Sequence, residues 1–216
     1  GIDLEIRSGE LTLLMGPSGS GKTTLVSILA GLLRPTSGQV ELCGAAISEL
    51  SEALVARVRR HHVGFVFQTY NLFPALTALE NVALGHRLRG EPHAEARERA
   101  LGALAGVGLG SRANERPANL SSGQKQRVAI ARALAGAPSV VIGDEPTAAL
   151  DGPTALDVMR LLQERVTPES AVLVVTHDPR LVPFAHRTVF IEDGRIVGEK
   201  QHSESAGGPG EPRVSR

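Results

Sequence analysis

Leu11-Thr12-Leu13-Leu14-Met15-Gly16-Pro17-Ser18-Gly19-Ser20-Gly21-Lys22-Thr23-Thr24 is the stretch on which the reading of this chain turns. It begins as a short, largely apolar run and ends by opening the helical pattern Thr24–Leu33, and between them Gly16–Thr23 fits G-x-x-x-x-G-K-[ST] in full. Glycines let backbone N–H groups close around phosphate, and a following helix N-terminus adds positive potential. The pattern places Gly16, Pro17, Ser18, Gly19, Ser20 and Gly21 in the cradle, Lys22 on the β- and γ-phosphates, and the Thr23 hydroxyl on magnesium, with Thr24 next in the helix. A plain glycine-rich turn before a helix is the bland alternative.

Runs of the same unalternating kind recur at Val63–Val66, Val140–Ile142 and Val172–Thr176. Such runs mark strands buried on both faces, which belong to parallel sheets covered by helices. Helical patterns at Glu52–Arg60, Gln124–Ala135 and Ala155–Arg165 lie between them, so the core reads as a wound α/β fold. The stretch 77–119 carries no strand-like run. It is rich in Ala, Leu, Arg and Glu, with Glu95 four residues before Arg99, and reads as an inserted helical subdomain dividing the core into 1–76 and 120–200. Thr188–Ile191, Asp193-Gly194 and Arg195–Val197 read as a hairpin with a two-residue turn. Ile2–Ile6 reads as an edge strand at the start of a fragment whose natural beginning is missing, and 201–216 as a disordered tail.

Composition narrows the class. The 216 residues carry 23 basic and 23 acidic side chains, so no basic field favours nucleic acid or an anionic membrane. Aromatics at 3% are too sparse for base-stacking platforms. No apolar stretch approaches the roughly 18–20 residues that cross a bilayer, so any membrane role acts through a partner without direct insertion. Cys43 is the sole cysteine, read as a small core or near-core residue, and the histidines outside His177 have no ligand-like spacing.

A second chemical element is the run Ser139–Ile142 leading into Gly143-Asp144-Glu145. A strand ending in two carboxylates delivers them to the carboxyl edge of the sheet, where open α/β folds bind ligands. Asp144 is read as holding magnesium through water and Glu145 as the general base for the attacking water. Taken alone, a solvated acidic turn before Pro146 is as good a reading. A third element, Leu120-Ser121-Ser122-Gly123-Gln124, precedes a helix and could be no more than an N-cap.

Together, in this order, the three elements resemble the ATP-binding cassette (ABC) ATPases, whose signature is Leu-Ser-Gly-Gly-Gln; Ser122 here stands where the first glycine is usual. The resemblance runs from Gly9 to about Gly198 and implies a RecA-like P-loop NTPase core with a helical subdomain, ATP and Mg²⁺ as ligands, and a homodimer of ATPase subunits serving integral-membrane permease subunits from the cytoplasmic face of the inner membrane. It further implies that Ser121, Gly123 and Gln124 face the γ-phosphate held by the opposite copy, with a left-handed backbone at Gly123. Gln68 is the glutamine that joins the magnesium site to the helical subdomain and takes part in catalysis with Lys22. His177 contacts the γ-phosphate, and Asp151 follows the motif Ala149-Leu150 in a loop crossing the dimer interface. The segments 59–72 and 76–82 are similar to one branch, which includes lipoprotein-release, macrolide-export, heterocyst glycolipid and haem exporters. A regulatory ATPase of the cell-division type and a soluble ABC ATPase are the rival readings.

Overall fold

In the computed structural model, which describes residues 1–202, the chain runs β1 (Leu11–Met15), α1 (Lys22–Leu29), β2 (Glu41–Leu42), β3 (Ala45–Ala46), α2 (Glu52–His62), β4 (Val63–Val66), α3 (Ala78–Leu88), α4 (His93–Gly106), α5 (Ser122–Ala133), β5 (Val140–Asp144), α6 (Gly152–Gln163), β6 (Ala171–Val175), β7 (Arg187–Glu192) and β8 (Arg195–Gln201). The main sheet has the order β4-β5-β6-β1-β7-β8, every pair parallel except the last.

The three central strands have no solvent face. Side chains alternate across a strand, so Leu11, Leu13, Val141, Val172 and Val174 enter one core while Leu14, Ile142, Leu173 and Val175 enter the other. On the first side they meet Ile130 and Ala133 of α5 and Val158, Met159 and Leu162 of α6. On the second they meet Val26 of α1 and Val55 of α2. Short apolar runs without alternation are the sequence signature of this double burial.

Helix α5 also belongs to a third core. Its Val128 and Ala131 pack with Ala78, Leu79 and Val82 of α3 and Ala100 and Leu104 of α4. The inserted subdomain therefore has no core of its own that ends at Asn119; it borrows a face of α5. The glycines at the contacts are steric. A Cβ on Gly64 of β4 would lie 2.3 Å from the Ala133 carbonyl oxygen at the end of α5.

Several expectations need correction. Ile2–Ile6 is not a strand: among the described residues its backbone joins no ladder, though Ile2, Leu4 and Ile6 still pack on the second core. Cys43 is exposed rather than near the core, because with Gly44 it makes the turn of the small β2–β3 hairpin, both at positive φ (49° and 81°). Arg99 pairs with Glu91 at 3.4 Å instead of Glu95. The β7–β8 hairpin is as expected, with Asp193 and Gly194 both left-handed (φ 45° and 71°) as a type I′ turn requires. Gln201, where the tail was expected to start, ends β8, and His202 still bonds to Thr188 and His186; the rest of that expected tail, 203–216, lies outside the described residues.

The second half of the connection between β4 and α3 is tied down by Asn81. Asn81 is fully buried in α3; its amide nitrogen donates to the carbonyls of Phe73, Leu76 and Thr77, and its oxygen accepts from the Phe73 N–H. Asn81→Leu should lower unfolding free energy by about 2–3 kcal/mol, since it strands backbone groups without partners. Urea denaturation measures this, and a loss below about 0.5 kcal/mol, the scatter of ordinary surface changes, would show that the loop does not depend on Asn81.

Candidate functional site

The glycine loop leaves β1 at the carboxyl edge of the sheet, and α1 begins at Lys22, two residues earlier than the apolar pattern suggests. Gly21 at the N-cap has φ 92° and Gly19 has φ 82°, conformations costly for any residue with a Cβ. Gly16 is required for another reason: a Cβ there would fall 2.0 Å from the carbonyl oxygen of Ile191 in β7. The Gly194 N–H of the β7–β8 turn donates to the Ser20 carbonyl at 3.1 Å. The C-terminal hairpin thus backs the loop, a support with no local signal in the sequence.

Lys22 is 8% exposed and folds back over its own loop, its Nζ donating to the carbonyls of Gly16 (2.9 Å) and Pro17 (2.7 Å). An ammonium held against two carbonyls is a cation placed in advance at the loop mouth. Thr23 Oγ1 donates to Asp144 Oδ1 at 3.2 Å, which brings together two sequence elements 121 residues apart. Burial holds the Asp144 carboxyl above the usual carboxylate range, while the Thr23 bond pulls it down and neighbouring Glu145 pushes it up again. A cation beside this group would relieve that penalty. Hydroxyl and carboxylate oxygens are the hard donors that Mg²⁺ takes, and the ion ordinarily fills its remaining positions with water and phosphate. Among the described residues no three His, Cys, Asp or Glu gather into a cage, so the donor set fits an ion shared with a nucleotide better than a dedicated metal centre.

Glu145 continues from β5 in the left-handed region (φ 49°), its N–H bonded to the Val175 carbonyl of β6. An ordinary strand would send it to the face opposite Asp144. The left-handed step breaks that alternation, and the strain of roughly 1–3 kcal/mol usual for such residues concentrates at functional sites. Glu145 Oε1 lies 2.9 Å from Nδ1 of His177, which is well exposed at the end of β6. The structure therefore brings Lys22, Thr23, Asp144, Glu145 and His177 to one sheet edge.

Gln68 is more loosely placed. It sits exposed in the turn after β4, without a hydrogen bond to Thr23 or Asp144. Just beyond it, Tyr70 and Asn71 are both left-handed (φ 61° and 48°), and Arg132 of α5 donates to their two carbonyls at 2.9 and 2.7 Å. Sequence reasoning missed Arg132, because a lone arginine in a helix carries no mark of a loop 61 residues away.

Ser121 caps α5: its hydroxyl accepts from the Gln124 N–H, and the Gln124 side chain accepts from the Ser121 N–H. Gly123 lies inside the first turn of α5 and is not left-handed, contrary to expectation. A Cβ there would meet the Thr154 methyl at 2.7 Å. Asp151 caps α6, accepting from the Thr154 N–H (3.0 Å) and hydroxyl (2.8 Å).

Comparison with known proteins shows which family the chain is similar to. The sequence profile of the ABC transporter family matches residues 1–148. The chain is 46% identical over 207 residues to the macrolide export ATP-binding/permease protein MacB of Burkholderia pseudomallei, covering 95% of this chain and 32% of that one. It is 48% identical over 189 residues to an uncharacterized ABC transporter ATP-binding protein of Mycobacterium tuberculosis, covering 88% of this chain and 57% of the other. It thus spans only part of the length of these relatives. Among solved structures, the ATP-binding cassette MJ0796, captured as a dimer in a post-hydrolysis state with ADP and Pi, superposes with TM-score 0.86 at 41% identity, over 93% of this chain and 88% of that one. With sequence and architecture in agreement over nearly its whole described length, the chain belongs to the ABC transporter family, as one of its ATPase domains.

Proposed function

We propose that this domain powers a membrane permease, two copies closing head to tail over two ATP molecules and reopening after hydrolysis. The observation that carries the reading is the pairing of a phosphate loop and two carboxylates at one sheet edge with a capped helix end at Ser121 whose hydroxyl binds only its own first turn. A single chain needs the first set to hold a triphosphate. The second set has no nucleotide of its own to serve, and a second copy would supply one.

In this reading the N–H groups of Gly16–Thr24 surround the phosphates and Lys22 turns its charge from the loop carbonyls to the β- and γ-oxygens. Thr23, Asp144 and Gln68 are the residues that would hold Mg²⁺, which would supply neutralisation of phosphate charge. Glu145 orients a water and accepts its proton as that oxygen bonds to the γ-phosphorus and the bond to the bridging oxygen breaks, releasing ADP and phosphate. His177 holds Glu145 and reaches the γ-phosphate. Ser121, Gly123 and Gln124 complete the pocket from the other copy, and Asp151 lies beside that contact.

The permease reading is supported by the MacB relatives, which carry a permease in the same chain. Among the described residues no helix is long and apolar enough to cross a membrane. We place the domain on the cytoplasmic face of the inner membrane, bound there through its partner. The test is co-purification with an integral-membrane protein followed by ATP-driven transport in vesicles. A complex that hydrolyses ATP without moving any solute across the vesicle would favour the regulatory alternative.

Two outcomes follow for single variants. Glu145→Gln should retain ATP binding, slow turnover by about 10²–10⁴-fold, the worth of a positioned general base, and accumulate an ATP-bound dimer in light scattering. Turnover close to that of the parent would sink the assignment. Ser122 is exposed at the start of α5, so Ser122→Gly should change the ATPase rate by no more than about twofold, as for surface sites without special contacts. A larger loss would mean that the Ser122 side chain takes part in the site.

A further inference from the structure

Gly123 and Asp151 are tied to each other within one chain, and the tie is Thr154. One face of this threonine is polar: its N–H and hydroxyl both donate to the Asp151 carboxylate, holding the start of α6. The other face is a methyl that fills the space a side chain on Gly123 would need, 2.7 Å from the position of that Cβ. One turn further along both helices the contact repeats in another chemistry, with Arg127 of α5 donating to Asp157 of α6 at 3.1 Å. The same Arg127 donates to the Val107 carbonyl at the end of α4 at 3.3 Å. The first two turns of α5 and α6 are thus held side by side by one steric contact and one partly exposed ion pair.

We propose that Thr154 is a positioning residue for the signature segment: it holds Leu120–Gln124 and Ala149–Asp151 as one rigid unit, so that both reach a second copy together. The proposal rests on the head-to-tail reading above, in which both segments meet the partner. It also assigns Gly123 a reason different from close approach to the opposing phosphate. The glycine is needed because the Thr154 methyl occupies its side-chain space. The next nearest Thr154 atoms are its Cβ at 3.8 Å and Oγ1 at 3.9 Å, ordinary contact distances. Serine at position 154 would therefore keep the Asp151 cap and open room for one methyl at position 123.

The test is a double-mutant cycle in the full-length protein with Gly123→Ala, Thr154→Ser and the pair, each read two ways. Melting temperature without nucleotide reports the contact alone. ATPase kcat and nucleotide affinity report its use. Gly123→Ala should lower both melting temperature and kcat, the latter by about tenfold as for side chains in direct conflict, and weaken nucleotide binding in the closed dimer. Thr154→Ser alone should stay within about twofold of the parent, and the pair should recover most of what Gly123→Ala lost on both readouts. Additive melting temperatures would overturn the contact itself. Recovery of melting temperature with kcat still at the level of Gly123→Ala would overturn the positioning role and return the glycine to the opposing phosphate. A parent protein without ATPase activity would strike the functional reading instead, leaving the nucleotide-free cycle to judge the contact.

Discussion

The central strands β1, β5 and β6 have no face that touches water, and the rest of the molecule is arranged around that constraint. A strand buried on both sides can offer polar groups only at its ends. Helices must cover both faces, so each connection crosses from one sheet edge to the other, and the loops after β1, β5 and β6 open at the same carboxyl edge. Lys22, Asp144, Glu145 and His177 come together because three parallel strands end side by side, although His177 and Glu145 are separated by 32 positions and Thr23 and Asp144 by 121.

Helix α5 carries the second organising role. It faces the sheet with Ile130 and Ala133 and the inserted helices with Val128 and Ala131, so it cannot shift without disturbing two cores. Its ends are tied to different parts of the site. At its start stand the Ser121 cap and the Gly123–Thr154 contact; near its end Arg132 grips the carbonyls of the loop that follows Gln68.

The site also stores small conflicts. Glu145 is left-handed, and burial raises the Asp144 carboxyl against the pull of the Thr23 hydroxyl. Both are costs of the kind that gather where a site is organised in advance for charge.

Much of this was legible in the sequence because it is local. Apolar runs without alternation recorded strands buried on both sides, the spacing of Gly16–Thr23 recorded a phosphate loop, and Asp193-Gly194 recorded a turn that needs two positive φ angles. What the sequence could not show was which side chains meet once the elements are packed. Glycine at position 123 is the same letter whether it makes room for a left-handed backbone, a phosphate or a neighbouring methyl, and only the seating of α6 against α5 selected the Thr154 methyl. Asn81, Arg132 and the backing of Ser20 by Gly194 were invisible for the same reason. A periodic pattern reports how a residue is buried and how its backbone turns, whereas a contact across many positions depends on the relative placement of whole elements, which the packing of three cores together decides.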